Sequence, residues 1–353
     1  MERGVSLMEA ANRTVGWSII GASQIARSWV ASAISATPGA RLVSVMSRDR
    51  GRGQDFANEF SIPKVETDIG GVLEDRTVDA IYVSTANERH QEITLAAAAA
   101  RKHVLCEKPL SLTLEEAIIM AQVCDRAGVI LGTNHHMRSA TTHRAIRDLV
   151  QSGRIGKPLA ARALYCEYLP QDLQTWRTRD PRQGGVIYDL TVHNVDALRF
   201  VLGDDPTEVM SMKASSLIGA NGVEDQAQSV IRFKSGLIAY THEGYAFAHH
   251  ETALEVHGEE GSIYGRGIMD EAPNGKVFIR RHREMEEVET MPVNLYEGAI
   301  AAFQSAILSG GRPSATGWDG VWSLATALAV RQSAETATQV AVPDIERLRI
   351  PAA

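Results

Sequence analysis

The first third of the chain alternates between short apolar runs and stretches in which apolar residues recur every three to four positions. Val15-Gly16-Trp17-Ser18-Ile19-Ile20, Arg41 to Met46, Ala80-Ile81-Tyr82-Val83-Ser84-Thr85, His103-Val104-Leu105-Cys106 and Val129-Ile130-Leu131-Gly132-Thr133 read as strands. Between them, Ile25, Ala26, Trp29, Val30, Ala33 and Ile34 have helical spacing, and His90 to Ala100 is an Ala-rich helix. Thr113-Leu114-Glu115-Glu116 has the spacing of a capping box and opens a helix to about Ala127. Strand–helix alternation with strands apolar on both sides predicts a parallel sheet covered on both faces.

The period changes after Asn134-His135-His136. A helix over roughly Thr142 to Ser152 ends at Gly153, and from Pro158 apolar and polar residues alternate through Ala161, Ala163, Tyr165 and Glu167. Further strands are predicted near Glu208–Ser215, Gln226–Phe233, Leu237–Tyr245 and Leu254–His257, with hairpin turns at Lys234-Ser235-Gly236 and Gly258-Glu259-Glu260-Gly261. The expected architecture is α/β in the first half, then an α+β half with a large, mostly antiparallel open sheet. The expected boundaries are a flexible polar extension over 1–14, a first domain over 15–135 and a second over 136–353.

A chain of 353 residues is too long for one ordinary core, which agrees with two domains. The net charge of -7 argues against a general nucleic-acid or anionic-membrane surface. The three cysteines, Cys106, Cys124 and Cys166, lie far apart with no metal-type spacing, which points to a reduced, cytoplasmic setting. No stretch reads as a signal peptide or a membrane span.

Candidate chemistry gathers at strand ends. Glu107-Lys108-Pro109 follows the His103–Cys106 strand, at the edge of an open sheet where ligands bind. Gly21-Ala22-Ser23-Gln24-Ile25-Ala26 occupies the place of a dinucleotide fingerprint, with Ser23 where the middle glycine is usual. Ser47-Arg48-Asp49-Arg50-Gly51-Arg52 ends the second strand. A hydroxyl followed by three guanidinium groups suits a 2′-phosphate and favours NADP(H) over NAD, with Asp49 as the alternative ribose ligand. Ser84-Thr85-Ala86-Asn87-Glu88 reads either as a lining for the nicotinamide ribose or as a polar cap on the next helix. In the second half, Asp189 and His193 lie four apart on a predicted helix, an acid–imidazole pair suited to proton transfer or to helix stabilisation. A metal site using His135 and His136 is the weaker reading, and none is expected; His242, His249 and His250 read as surface or core residues.

Taken in order, the turn at Gly21, Glu107-Lys108-Pro109 and Asp189-x-x-x-His193 resemble the glucose-fructose oxidoreductase / inositol dehydrogenase / MocA (Gfo/Idh/MocA) family from Val15 to about Val340. Gly132-Thr133-Asn134-His135-His136, Gln174-Thr175-Trp176-Arg177, Asn294-Leu295-Tyr296-Glu297 and the stretch from Ala315 to Thr326 are similar to a keto-sugar-reducing subgroup. The resemblance implies a Rossmann domain and NADPH. Gly21 opens the nucleotide turn, with Ala22, Ser23, Gln24, Ile25, Ser47, Arg48 and Arg52 around the adenine end. Ser84, Thr85, Ala86, Asn87, Glu88 and Arg89 with Glu107 and Lys108 would follow the nicotinamide end. Asn134, Trp176, Arg177 and Tyr296 would lie around cofactor or substrate. Lys108 and His193 match the catalytic pair and Asp189 a substrate-binding acid. Asn194 departs from the pattern, standing where an acid is common. The implied reaction is hydride transfer to the C2 ketone of 1,5-anhydro-D-fructose or a similar keto-sugar. The alternatives are a sugar or inositol dehydrogenase working oxidatively, and a non-catalytic NAD(P)-sensing regulator. A small sugar is the expected partner, with self-association through the open sheet.

Overall fold

The computed structural model describes residues 13–271 and 275–349. The extension expected over 1–14 lies outside the described residues except for Arg13 and Thr14. The chain packs as two units. The first takes the described residues up to His135 together with Tyr296–Gly320 and Arg349; the second takes His136–Leu295 and Val321–Leu348.

The first unit is built on a six-stranded parallel sheet: β1 (Val15–Ile20), β2 (Ala40–Met46), β3 (Lys64–Glu66), β4 (Ala80–Val83), β5 (His103–Cys106) and β6 (Leu131–Thr133). Its spatial order is β3-β2-β1-β4-β5-β6, the doubly wound order in which strand direction of travel reverses between β1 and β4. All residues of β1 and β4 are buried, as expected for strands covered on both faces. Thr113 caps the helix Leu114–Ala127 by accepting from Glu116 N at 3.3 Å, as its spacing predicts, and Gly128 ends it at φ 64°. The later segment Tyr296–Gly320 packs here because Phe303 meets Trp17 at 5.5 Å and Trp318 Nε1 donates to Asp125 Oδ2 at 2.8 Å.

The second unit carries a nine-stranded sheet. Its strands are β7 (Pro158–Cys166), β8 (Pro206–Ala214), β9 (Gln226–Phe233), β10 (Ile238–Gly244), β11 (Ala253–Gly258), β12 (Ser262–Arg266), β13 (Lys276–Arg281), β14 (Glu284–Val288) and β15 (Val340–Ala341). The order is β14-β13-β12-β11-β7-β10-β9-β8-β15, antiparallel except for the central β7–β10 pair. Both predicted hairpin turns are present, closed by Phe233 N to Leu237 O at 2.9 Å and Gly258 N to Gly261 O at 2.8 Å.

One sheet face is covered and the other is open. Ala161, Ala163 and Tyr165 of β7, Thr241 and Glu243 of β10 and Ala227, Ser229, Ile231 and Phe233 of β9 are buried. The helix Val192–Leu202 lies on that face: Asn194 Nδ2 donates to Ala163 O at 3.3 Å and to Glu243 Oε1 at 2.7 Å. On the opposite face Met210, Met212, Val230 and Ile238 are exposed.

Candidate active site

In the first unit the candidate residues collect where β1 and β4 part, the crevice that binds ligands in open α/β sheets. Gly21 leaves β1 at φ 103°, and a Cβ there would stand 2.9 Å from Ser84 O. Only glycine passes this close to the neighbouring turn without strain. Ser23 fills the place of the missing glycine with a second function. Its Oγ donates to Ser84 Oγ at 2.9 Å and accepts from Ala26 N at 3.2 Å, and Ser84 Oγ donates to Gly21 O at 3.0 Å. The loops after β1 and β4 are thereby tied to one another. The helix that follows begins with a π turn, Ala26–Val30.

At the end of β2, Ser47 is buried and its amide donates to Glu66 O at 2.9 Å. Asp49 caps the helix Arg50–Glu59, its carboxylate accepting from Arg52 N at 3.0 Å. A carboxylate so engaged is a capping group. Arg48, Arg50 and Arg52 are exposed, and among the described residues their guanidinium groups make no hydrogen bond or ion pair. The turn thus offers exposed guanidinium groups without a partner among the described residues, which fits a phosphorylated nucleotide.

The β5 end carries the reactive-looking groups. Glu107 is buried; Tyr82 Oη donates to its Oε1, Asn134 Nδ2 donates to the same oxygen at 2.7 Å, and Lys108 N donates to Oε2 at 3.2 Å. Burial raises the Glu107 carboxyl above the ordinary range, while the Lys108 charge and these donors pull the other way. Lys108 itself is half-buried, and the Lys108–Pro109 peptide is cis. His90, buried at the head of the helix His90–Ala99, bridges two turns: Nδ1 lies 3.1 Å from Pro109 O and Nε2 lies 3.3 Å from Thr85 O. Asn87 is buried, Ala86 and Glu88 are exposed, and Arg89 reaches Glu92 at 3.4 Å. Tyr296 is buried in this unit, stacked on Trp29 at 5.6 Å and 11°.

In the second unit, Asp189 sits in a π turn, Ile187–Thr191, that runs directly into the helix Val192–Leu202. Such turns insert extra backbone into a helix and often mark functional sites. The π turn keeps Asp189 and His193 on successive turns of one continuous helical run. Asp189 Oδ2 accepts from Arg177 Nε at 3.2 Å and from Tyr245 Oη at 2.7 Å. Arg177 lies over the Trp176 ring at 4.6 Å, and Trp176 is 37% exposed. His193 is buried, edge-on to His136 at 5.4 Å and tilted against Tyr165 at 5.8 Å. The second acid of that helix, Asp196, is held by Arg138 in a two-bond fork of 2.9 and 2.7 Å, which anchors it as an ion-pair partner.

Residues 15–135 match the model of an oxidoreductase family with an NAD-binding Rossmann fold, and residues 143–264 match the GFO/IDH/MocA C-terminal domain. The chain belongs to the Gfo/Idh/MocA oxidoreductase family. A Gfo/Idh/MocA relative, 1,5-anhydro-D-fructose reductase of Ensifer adhaerens, is 52% identical over 321 residues, covering 91% of this chain and 96% of the relative. The myo-inositol 2-dehydrogenase of Thermotoga maritima is 28% identical over 321 residues, covering 86% and 91%. Among solved structures, aldose-aldose oxidoreductase from Caulobacter crescentus superimposes with a TM-score of 0.86 at 22% identity, covering 93% of this chain and all of that one. Levoglucosan dehydrogenase in complex with NADH and levoglucosan gives 0.81 at 23% identity over 94% and 100%. At that identity these structures show the fold.

Several neighbours of the candidate residues escape sequence reading. Tyr82 reads as one more apolar strand position, and only the β4–β5 register brings its hydroxyl to Glu107. His90 reads as the start of a helix. Tyr245 reads as the end of a strand, and nothing in the spacing ties it to Asp189. Asn194 donates to Glu243 of β10 at 2.7 Å, so a buried acid lies beside that position. Burial pushes Glu243 up to about 7.

Proposed function

We propose that this oxidoreductase is an NADPH-dependent reductase acting on the C2 ketone of 1,5-anhydro-D-fructose, giving 1,5-anhydro-D-mannitol, or on a closely similar keto-sugar. The observation that carries this reading is the 52% identity to 1,5-anhydro-D-fructose reductase across nearly the whole of both chains. In this reading the first domain, 15–135, holds the nucleotide, and the chain from 136 onward supplies most of the substrate-binding side chains.

The fingerprint turn Gly21-Ala22-Ser23-Gln24-Ile25 and Ser47 would hold the adenine end, with Arg48 and Arg52 meeting a 2′-phosphate. The commitment of Asp49 to the helix cap and the solvent-facing arginines support NADP(H) over NAD. Ser84, Thr85, Ala86, Asn87, Glu88, Arg89 and Glu107 would follow the nicotinamide end, and Asn134, Trp176, Arg177 and Tyr296 would lie around cofactor or substrate. NADP(H), when bound, supplies the hydride. Lys108 stabilises the charge that develops on the ketone oxygen, and His193 gives that oxygen its proton. Asp189, held by Arg177 and Tyr245, takes a sugar hydroxyl and sets the orientation of His193.

The test is steady-state NADPH oxidation over keto-sugars that include 1,5-anhydro-D-fructose, run beside NADP+ reduction with polyols. Lys108→Gly and His193→Asn should each cut kcat by about 100-fold or more with NADPH affinity near normal. Unchanged turnover in both variants removes the mechanism. Faster reaction with polyols would instead favour the oxidative reading, which the inositol dehydrogenase relative supports. Arg48→Ala with Arg52→Ala should narrow the preference for NADPH over NADH.

The free, buried state of Cys106, Cys124 and Cys166 supports a reducing, cytoplasmic setting. Exposed Met210, Met212, Val230 and Ile238 support self-association through the open sheet face. Among the described residues no helix is long and apolar enough to cross a membrane.

A further inference from the structure

The open face of the nine-stranded sheet carries a group of side chains that hydride chemistry does not use. Cys166 closes β7, and His242 lies on β10 opposite Leu164. Because side chains alternate along a strand, Cys166 and His242 are diagonal neighbours on the face opposite Tyr165 and Glu243. The chain after β10 then returns over them. Phe247 N donates to Glu167 O at 3.0 Å and His250 N to Phe247 O at 3.3 Å. The Phe247 ring occupies the space above Gly244, where a Cβ would meet it at 2.3 Å. This fold-back carries His250 to the pair. One ligand atom from each of Cys166, His242 and His250 lies within 4.8 Å of the other two.

The polar atoms facing this group are poorly served by the protein. Among the described residues, His242 Nε2 and His250 Nδ1 are buried without a hydrogen-bond partner, and Cys166 Sγ makes only the weak contact to His242 O at 3.5 Å. Buried nitrogens are ordinarily paired, so two unpaired imidazole nitrogens beside one thiol point to an absent electrophile. We propose that Cys166, His242 and His250 form a binding site for one Zn(II) ion, coordinated by a thiolate and two neutral imidazoles with a water in the fourth position.

The donor set selects the metal. Sulfur and nitrogen donors suit zinc, whereas magnesium and calcium require oxygen. Tetrahedral coordination with bonds of about 2.0–2.3 Å sets ligand atoms about 3.5 Å apart, so the three must close by roughly 1 Å. His250, half-exposed on a returning segment, can make that adjustment by side-chain rotation. Binding exchanges the thiol proton for the ion: the S–H bond breaks, an S–Zn bond forms, and the proton leaves to solvent with no redox change. Burial pushes the Cys166 thiol up to about 12, with Glu243 and Glu167 adding to the effect, so zinc must displace that proton.

The experiment uses the full chain, stripped with a chelator, titrated with zinc chloride by calorimetry and with Co(II) by absorption spectroscopy. The expected result is one ion per chain, with a thiolate-to-cobalt charge-transfer band that disappears in Cys166→Ser. His242→Gln and His250→Gln should each weaken zinc binding by about tenfold or more. Absence of one-to-one binding, absence of the band, or undiminished affinity in His250→Gln overturns the proposal. Should Cys166→Ser or His242→Gln fail to fold, His250→Gln decides alone, because its segment lies outside the sheet.

Discussion

Glu107 has almost no access to water and depends on its donors. Tyr82, Asn134 and the Lys108 amide share its two oxygens, so removing one leaves a desolvated lone pair with nothing to replace it. Tyr82→Phe should lower stability by about 1–3 kcal/mol in urea denaturation, and a loss within error would show that Glu107 is held by the other two alone. Glu107-Lys108-Pro109 stood out in the sequence because a charged pair followed by proline interrupts an apolar strand. Tyr82 did not, because its hydroxyl matters only through the strand beside it. His90 is similar: its two carbonyl partners, Thr85 O and Pro109 O, lie 5 and 19 residues away in the chain.

The turn after β1 joins two strands of the first sheet through hydroxyl groups and leaves no room for a side chain. Gly21→Ala would add a Cβ at φ 103° and 2.9 Å from Ser84 O. The expected cost is about 2 kcal/mol by thermal denaturation, together with weaker NADPH binding by fluorescence titration; a neutral effect on both would show that the turn can relax. Strand–helix alternation was legible because each strand is an apolar run set between helices of clear period. Short elements with few apolar positions were not: β3 has three residues, β15 has two, and β14 reads Glu-Met-Glu-Glu-Val. The π turn over Ile187–Thr191 was also hidden, since one extra residue per turn leaves the Asp189–His193 spacing looking like an ordinary helix. No spacing rule foretold Cys166 with His242 and His250, which meet through sheet register and a fold-back.

At the scale of the molecule, chain order and packing diverge. Tyr296 follows the second sheet in sequence yet packs with Trp29 in the first unit, and apolar periodicity alone carries no address for such a segment. Global stability should also respond to one buried imidazole. His143 is fully buried, its ring beside the Thr142 hydroxyl and the Met269 sulfur. Burial lowers it from 6.5 to about 4, with Asp196 opposing. The folded state therefore keeps the ring neutral, and the stability this group contributes above pH 6.5 is lost as the pH falls toward 4. From about pH 7 to about pH 4.5 the loss amounts to roughly 2 kcal/mol. His143→Leu lacks this titration, so its stability relative to the parent should rise by about that amount over the window, measured by urea denaturation. A flat difference would mean that the ring titrates in the fold as it does in the unfolded chain.

The two margins of the nine-stranded sheet limit how it can grow. β15 offers only Val340 and Ala341, and β14 places Glu284, Glu286 and Glu287 along its length. A strand from another chain docking at that margin would meet clustered negative charge before it gained a ladder of backbone bonds. Templated zippering from the rim, the usual route from a wide sheet to fibrils, is thereby discouraged at both ends, and contact with another molecule is left to side-chain surfaces.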